Sequence, residues 1–215
     1  GRGFSDRPKV EYDQALFVRQ LSELTDTIIP NTKFHLMGLS MGGPIVAALA
    51  NQNSVRVKSV ALIAPEVLKV EEKDIFPMNI PIIGEWIVGV YLVPSRLPNS
   101  QPEDFYNPEK FPGWVEKYRE QIQYKGFKNA ILSTIRNLVK TDPLEEYKSL
   151  AETGLPTSLI WGKEDRTISY EAIVKLLEVI PEIDYQFIEE AGHLPHYEQS
   201  QEVNTFLLQF IGSIE

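Results

Sequence analysis

The chain has 215 residues, 43% of them hydrophobic, and a formal net charge of −9 at pH 7. This length suits one large domain, or a core with an insertion, and the apolar content suffices for a core. The acidic charge argues against nucleic-acid binding through a general basic field. The absence of cysteine excludes disulfides, thiolate metal sites and a cysteine nucleophile.

The first part of the chain alternates between helix and strand patterns. Residues 1–10 contain glycines and a proline, which predicts a loop. Apolar residues recur at helical spacing over residues 11–28, and residues 33–39 form a short apolar run typical of a strand. An alanine-rich helix pattern over residues 42–52 is followed by a buried strand that ends at Pro65. This alternation predicts an α/β fold with a parallel sheet covered by helices.

The pattern changes over residues 65–150, where prolines are frequent and no strand of the core type stands out. Three helix-like pieces occur there, which predicts an inserted helical cap or lid. The apolar run at residues 80–93 contains Glu85 and is too short to span a bilayer. We expect this run either to pack within the cap or to line a pocket for acyl chains, with transient contact to a lipid surface as a further expectation.

Core-type elements return in residues 151–215. "PTSLIWG" is a strand pattern, and the helix pattern after it begins with Ser169 as a plausible N-cap. "DYQFIEEAGH" indicates a strand that runs into a loop, and an amphipathic helix follows. The predicted organisation is therefore a core formed by residues 1–64 and 151–215, with the cap at residues 65–150 between them.

The segment "GLSMGG" lies between the first predicted strand and the next helix. Its Gly38-Leu39-Ser40-Met41-Gly42 sequence is G-x-S-x-G, and strand–turn–helix is the context expected for a nucleophile elbow. Such a turn exposes the Ser40 hydroxyl above the sheet edge and places helix N-terminal amides beside it. We predict Ser40 as the nucleophile and the Met41 N–H as an oxyanion donor. A glycine-rich bend without chemistry is the alternative.

A serine nucleophile needs a histidine base, and the chain has three histidines. His35 precedes the serine, inside the first predicted strand, and we interpret it as structural. His193 follows a strand in a loop at the carboxyl end of the sheet, where ligand chemistry concentrates. We predict His193 as the base, with His196 as the less favoured alternative.

The base needs an orienting acid, which in this arrangement lies between the serine and the histidine in sequence. Asp165 lies on the loop that leaves the "LIWG" strand, and we predict it as the acid. Its neighbour Glu164 would point in a different direction. Asp142 precedes a proline and resembles a turn or helix start, so it is a weaker candidate.

The order Ser40, Asp165, His193 resembles that of α/β-hydrolases of the serine-hydrolase branch. "GRGFSDRP" resembles the loop after the fourth strand of that family, and "GLSMGG", "LIWGKEDRTIS" and "EEAGHLPHYEQ" resemble its nucleophile, acid and histidine segments. The nucleophile and cap segments are most similar to monoacylglycerol-lipase-like and esterase-like members. The resemblance implies a mostly parallel sheet flanked by helices, with an inserted helical cap.

The resemblance also implies strands ahead of the "GRGFSD" loop and an upstream loop that supplies the second oxyanion donor. Neither is in this sequence, which does not begin with methionine. We therefore expect a fragment or processed product that lacks the N-terminal strands. Loss of one oxyanion donor typically costs about 10²–10³ in rate, so the chain alone can be inactive.

The resulting expectation is a serine hydrolase that cleaves a carboxylic ester of the acyl or monoacylglycerol type. No cofactor is expected, no metal-ligand cluster occurs, and no phosphate-binding glycine motif is present. C–C bond hydrolysis and perhydrolysis use a similar triad and stay open, as does a non-catalytic binding protein on a hydrolase-like scaffold. The sequence leaves the oligomeric state open; it identifies no compartment, although the cytoplasm is favoured.

Overall fold

A computed structural model describes residues 1–214, which separate into two compact units. The sheet unit comprises residues 17–68 and 104–107 together with the chain from Asp142 onwards. The helical unit comprises residues 1–16, 69–103 and 108–141. The short segment 104–107 thus belongs to the sheet unit, although the residues on both sides of it belong to the helical unit.

The sheet has four parallel strands in the spatial order β1-β2-β3-β4. They are β1 (Phe34–Leu39), β2 (Val57–Ile63), β3 (Thr157–Gly162) and β4 (Asp184–Ile188). Every residue of β3 is buried, which matches its nearly continuous apolar sequence and is typical of a parallel strand covered on both faces. The predicted α/β class, a parallel sheet flanked by helices, is confirmed.

The helices alternate with the strands and also form the helical unit. In chain order they are α1 (Gln14–Ile28), α2 (Gly42–Gln52), α3 (Ile83–Ile87), α4 (Leu97–Ser100), α5 (Trp114–Gln121), α6 (Phe127–Leu138), α7 (Pro143–Glu152), α8 (Tyr170–Val179), α9 (Pro195–Glu198) and α10 (Ser200–Gly212). A π-helical segment, Val88–Arg96, joins α3 to α4. It contains Pro94, which cannot donate a backbone hydrogen bond and so favours a widened helical turn.

Helix α2 is the central helix of the sheet unit. It is buried from Gly43 to Ala50, which explains why its sequence is apolar on all sides. Its last residues are tied to α7, because Asn51 Nδ2 donates to the carbonyl oxygen of Glu146 at 3.1 Å. The largest core cluster of this unit contains Val46, Leu62 and Tyr147, and Tyr147 is completely buried.

The helical unit has its own small core, formed by Val88, Val93, Phe127, Ile131 and Leu132. The N-terminal loop is fastened to α6 by a hydrogen bond from the Tyr12 N–H to Ser133 Oγ at 2.9 Å. Across residues 1–214, none of the helices is long and apolar enough to cross a membrane.

Candidate active site

Ser40 occupies the turn between β1 and α2, and its φ is +52°. A positive φ is costly for a residue with a side chain, and it persists only where the surroundings enforce it. Here the Ser40 N–H donates to the Ile63 carbonyl of β2 at 3.0 Å. The Ser40 carbonyl accepts from the N–H groups of Gly43 at 2.9 Å and Glu66 at 3.0 Å. The turn is therefore held by main-chain bonds to both neighbouring segments.

The glycines of the motif differ in what they do for this turn. A Cβ on Gly38 would clash with the Gly42 carbonyl oxygen and lie 2.7 Å from Val46 Cγ2. A Cβ on Gly43 would lie 2.6 Å from Tyr147 Oη and 2.7 Å from Pro65 Cβ. At Gly42, by contrast, no atom of the described chain beyond the local helix backbone lies within 4 Å of such a Cβ. Close approach therefore requires glycine at 38 and 43 but not at 42.

Met41 is the N-cap of α2, with helical φ and ψ of −54° and −24°. The first backbone bond of this turn runs from the Gly43 N–H to the Ser40 carbonyl. The Met41 amide precedes it and belongs to the N–H groups that a helix start cannot pair within itself. Such amides form oxyanion holes when they point toward a reacting carbonyl.

His193 and Asp165 form a buried pair. His193 Nδ1 and Asp165 Oδ2 are 2.9 Å apart, and the two side chains are 7% and 0% exposed. The other carboxylate oxygen, Oδ1, accepts from the N–H groups of Thr167 at 2.7 Å and Ile168 at 2.9 Å. Because both oxygens have donors, the carboxylate is fixed in place and the imidazole is oriented through Nδ1.

The strand topology brings Ser40, Asp165 and His193 to one edge of the sheet. Ser40 follows β1 directly, Asp165 lies on the loop after β3, and His193 lies on the loop after β4. Because all the strands are parallel, these loops leave from the same carboxyl edge, where ligands bind in open α/β sheets.

The remaining sequence candidates have other partners. His35 Nδ1 lies 2.7 Å from Ser59 Oγ, between β1 and β2. Asp142 caps α7 by accepting from the Leu144 N–H at 3.1 Å. Glu164 accepts from the Ala191 N–H at 3.0 Å, so it binds the backbone of the histidine loop.

His196 is half-buried, and its Nδ1 is buried with no hydrogen-bond partner among residues 1–214. Burial, together with the nearby His193, lowers the pKa of His196. The neutral form of this imidazole is therefore favoured, and Asp165 pairs with His193 rather than with His196.

Three residues of this region were not indicated by the sequence. Tyr147 Oη donates to the Glu66 carbonyl at 2.8 Å, next to the amide that binds Ser40. Burial raises the pKa of the Glu66 carboxyl. Glu198 binds the Gly192 N–H at 2.7 Å, beside His193. No spacing rule points to these residues, since their partners are set by the tertiary fold.

Within residues 1–214, no group of three or more histidine, aspartate or glutamate side chains is arranged to hold a metal ion. The chemistry available at this edge is that of a hydroxyl, an imidazole–carboxylate pair and backbone amides.

A model of the alpha/beta hydrolase family matches residues 1–206. Lipase 3 of Moraxella sp. (strain TA144) is 28% identical over 210 residues, covering 92% of this chain and 62% of the lipase. The mouse monoacylglycerol lipase ABHD6 is 23% identical over 210 residues, covering 92% of this chain and 60% of the relative. The chain thus spans less than two thirds of the length of these relatives.

Among solved structures, the enol-lactonase from Burkholderia xenovorans LB400 superposes with a TM-score of 0.81 at 20% identity, covering 98% of this chain and 77% of the enol-lactonase. At that identity the likeness concerns the fold alone. The family match agrees with the resemblance of the nucleophile, acid and histidine segments.

Proposed function

The chain belongs to the alpha/beta hydrolase family, and from that premise we propose that it is a serine hydrolase acting on a carboxylic ester. The observation that supports this most strongly is the buried His193–Asp165 pair, with Nδ1 and Oδ2 2.9 Å apart. It lies at the sheet edge that also carries Ser40, the residue with φ +52° after β1.

In the proposed reaction, Ser40 Oγ attacks the ester carbonyl while His193 takes its proton. The ionised Asp165 carboxylate only accepts hydrogen bonds, so it holds the proton of His193 on Nδ1 and leaves Nε2 free as the base. The Met41 N–H stabilises the tetrahedral oxyanion. His193 then protonates the leaving alcohol and activates a water molecule that releases the acyl group.

The proposed substrate is an ester of a fatty acyl group, with a monoacylglycerol as the specific candidate. The support is that relatives covering more than nine tenths of this chain are named lipases and monoacylglycerol lipases. The residues that carry the proposed chemistry are all protein groups, so the reaction as written needs no cofactor.

We further propose that the region predicted as a cap, residues 65–150, contacts a lipid surface transiently. Within it, Ile82 is 82% exposed, Trp86 64% and Tyr91 57%. Exposed aliphatic and aromatic side chains on one short stretch, from the residue before α3 into the π-helical segment, favour the interface between water and lipid. Vesicle sedimentation should recover less of an Ile82→Ser, Trp86→Ser variant than of the unchanged protein; equal recovery would contradict this proposal.

The test of the proposed function is hydrolysis of p-nitrophenyl esters of graded acyl length. It is measured on the 215-residue chain and on any longer product of its gene, each with and without Ser40→Ala. The matched control is Ser54→Ala, an exposed serine between α2 and β2. We expect Ser40→Ala to abolish turnover and fluorophosphonate labelling, while Ser54→Ala leaves both unchanged.

Ester turnover that survives Ser40→Ala would refute the nucleophile. Absence of labelling in the full-length protein would favour a binding protein without catalysis. If the protein cleaves a diketone or forms a peracid in preference to hydrolysing esters, the proposed roles of Ser40, Asp165 and His193 stand, but the proposed substrate class is wrong.

A further inference from the structure

The carboxylate of Glu198 binds three main-chain N–H groups that come from two separate segments. Oε2 accepts from Gly192 at 2.7 Å and from Tyr106 at 3.0 Å, and Oε1 accepts from Asn107 at 2.9 Å. Glu198 is the last residue of α9, the short helix that begins just after the His193 loop. Hydrogen bonds to an ionised carboxylate are roughly twice as strong as those between neutral groups.

The segment 104–107 packs directly on the peptide that precedes His193. A Cβ on Gly192 would lie 2.7 Å from the Asp104 carbonyl oxygen and 2.9 Å from the Tyr106 nitrogen. Phe105, between them, is only 2% exposed. Residues 104–107 are therefore joined to the Gly192 peptide in two ways: by hydrogen bonds that both make to Glu198, and by direct van der Waals contact.

The same stretch of backbone also contacts the end of β3 and the loop after it. A Cβ on Gly162, the last residue of β3, would clash with the carbonyl oxygens of Ala191 and Gly192. Glu164 also accepts from the Ala191 N–H at 3.0 Å. The backbone before His193 thus contacts both the Asp165 loop and residues 104–107, and Glu198 joins it to the latter segment by hydrogen bonds.

We propose that Glu198 is a positioning residue for His193, acting by binding residues 104–107 to the Gly192 peptide. This inference rests on the proposed function, because it assigns a role in the same reaction. The orientation of the Gly192 peptide sets the position of the His193 Cα–Cβ bond, and hence the alignment of the imidazole with Asp165. A displacement of about 1 Å in a reacting group can cost on the order of 10²-fold in rate.

The informative variant is Glu198→Gln, which keeps the size of the side chain. The amide retains one accepting oxygen but presents an NH₂ group to backbone N–H donors, so at least one of the three bonds is lost. The matched control is Glu202→Gln in α10, whose carboxylate accepts from the Gln186 side chain at an exposed position. Both variants make the same change of charge in the same part of the chain.

Three readouts on the full-length protein test the role of Glu198. We expect Glu198→Gln to lower kcat for the ester by about 10–10²-fold with KM within about twofold, and Glu202→Gln to change neither. The downfield proton resonance of the His193 Nδ1–H···Asp165 bond should be lost or broadened in Glu198→Gln alone. Amide hydrogen exchange at Gly192, Tyr106 and Asn107 should accelerate in the same variant.

An unchanged kcat and an unchanged Nδ1 resonance in Glu198→Gln would overturn the positioning role, even if amide exchange accelerates. Faster exchange alone would mean that Glu198 only stabilises the loop. Failure of the proposed function gives a different result: turnover would then survive Ser40→Ala, whereas the resonance and the exchange rates would still report on Glu198.

Discussion

The Ser40 turn and the His193 loop leave the same edge of the sheet, but different forces hold them. The Ser40 turn is shaped by backbone bonds and by space that only glycine at 38 and 43 can leave. The His193 loop is held by carboxylates: Asp165 binds the imidazole, while Glu164 and Glu198 bind the backbone before it. Both halves of the site need glycine for close approach, at 38 and 43 in the first and at 162 and 192 in the second, but only the second half also depends on carboxylates.

This difference follows from what each half has to do. A nucleophile on a sharp turn has to project from a backbone in a strained conformation, which close packing can enforce. An imidazole base has to be aligned by its ring nitrogens, which requires directional bonds. Substitutions that add a methyl group to the close-packed glycines should therefore damage either half, whereas substitutions that replace an acid by its amide should damage the second half alone.

The largest effect is expected on the carboxylate side, for Asp165→Asn. The amide does not hold the proton of His193 on Nδ1, so kcat should fall by about 10⁴-fold while the fold persists. Asp184→Asn, at an exposed position at the start of β4, is the control. Ester kinetics and circular dichroism check this prediction; a loss below about tenfold would show that Asp165 is not the orienting acid.

The next largest effect concerns close packing at the Ser40 turn and is tested by comparing Gly38→Ala with Gly42→Ala. The methyl group at 38 meets the Gly42 carbonyl and Val46, so the free energy of unfolding should fall by about 1–3 kcal/mol. At 42 there is open space, and the change should stay within about 0.5 kcal/mol. Urea unfolding measures both; equal destabilisation would remove the distinction between the two glycines.

A smaller effect is expected from Tyr147→Phe, which keeps the buried ring but removes the bond to the Glu66 carbonyl. Because one hydrogen bond beside the Ser40 turn is lost, and its acceptor residue Glu66 is only partly buried, the free energy of unfolding should fall by about 0.5–1.5 kcal/mol. Tyr185→Phe, on the exposed face of β4, provides the comparison. The role of this bond in stability is contradicted if the two variants unfold at the same urea concentration.

The smallest effect concerns Glu66 and depends on pH. Burial raises the pKa of this carboxyl above its ordinary value of 4.5, so the native state binds its proton more tightly than the unfolded chain does. The protonated Glu66 carboxyl therefore stabilises the native state below pH 4.5, and this stabilisation is lost as the pH rises through the raised pKa of the native state. Glu66→Gln should therefore raise the melting temperature at pH 7 but not at pH 4; the reverse dependence would contradict the sign.

The sequence predicts much of the sheet unit, because its signals are local. The predicted helix over residues 42–52 coincides with α2, since the glycine-serine motif marks its start and the apolar run marks its length. The three histidines leave few choices for a base, and strand order brings His193 to the edge that carries Ser40. Periodicity and turn chemistry are sufficient for these features.

The remaining features depend on contacts between distant residues. Glu198 binds Tyr106 and Asn107, which lie some ninety residues earlier in the chain. Tyr147 is completely buried and lies directly against Gly43, a contact that no local pattern encodes. From sequence alone, a glutamate near a histidine is expected to be a solvated charge. Glu198 binds backbone N–H groups only because the tertiary fold brings them to its carboxylate.

The return of residues 104–107 to the sheet unit has a consequence for chain topology. It divides the long excursion after Leu68 into two closed loops of nearly equal length, residues 69–103 and 108–141. The entropy of closing a loop depends only weakly on its length, so each loop can lengthen or shorten without disturbing closure of the other. The two loops close separately but pack together, because the core of the helical unit takes Val88 and Val93 from the first and Phe127, Ile131 and Leu132 from the second. A chimaera that exchanges one half should therefore keep the other half closed only if it preserves these contacts.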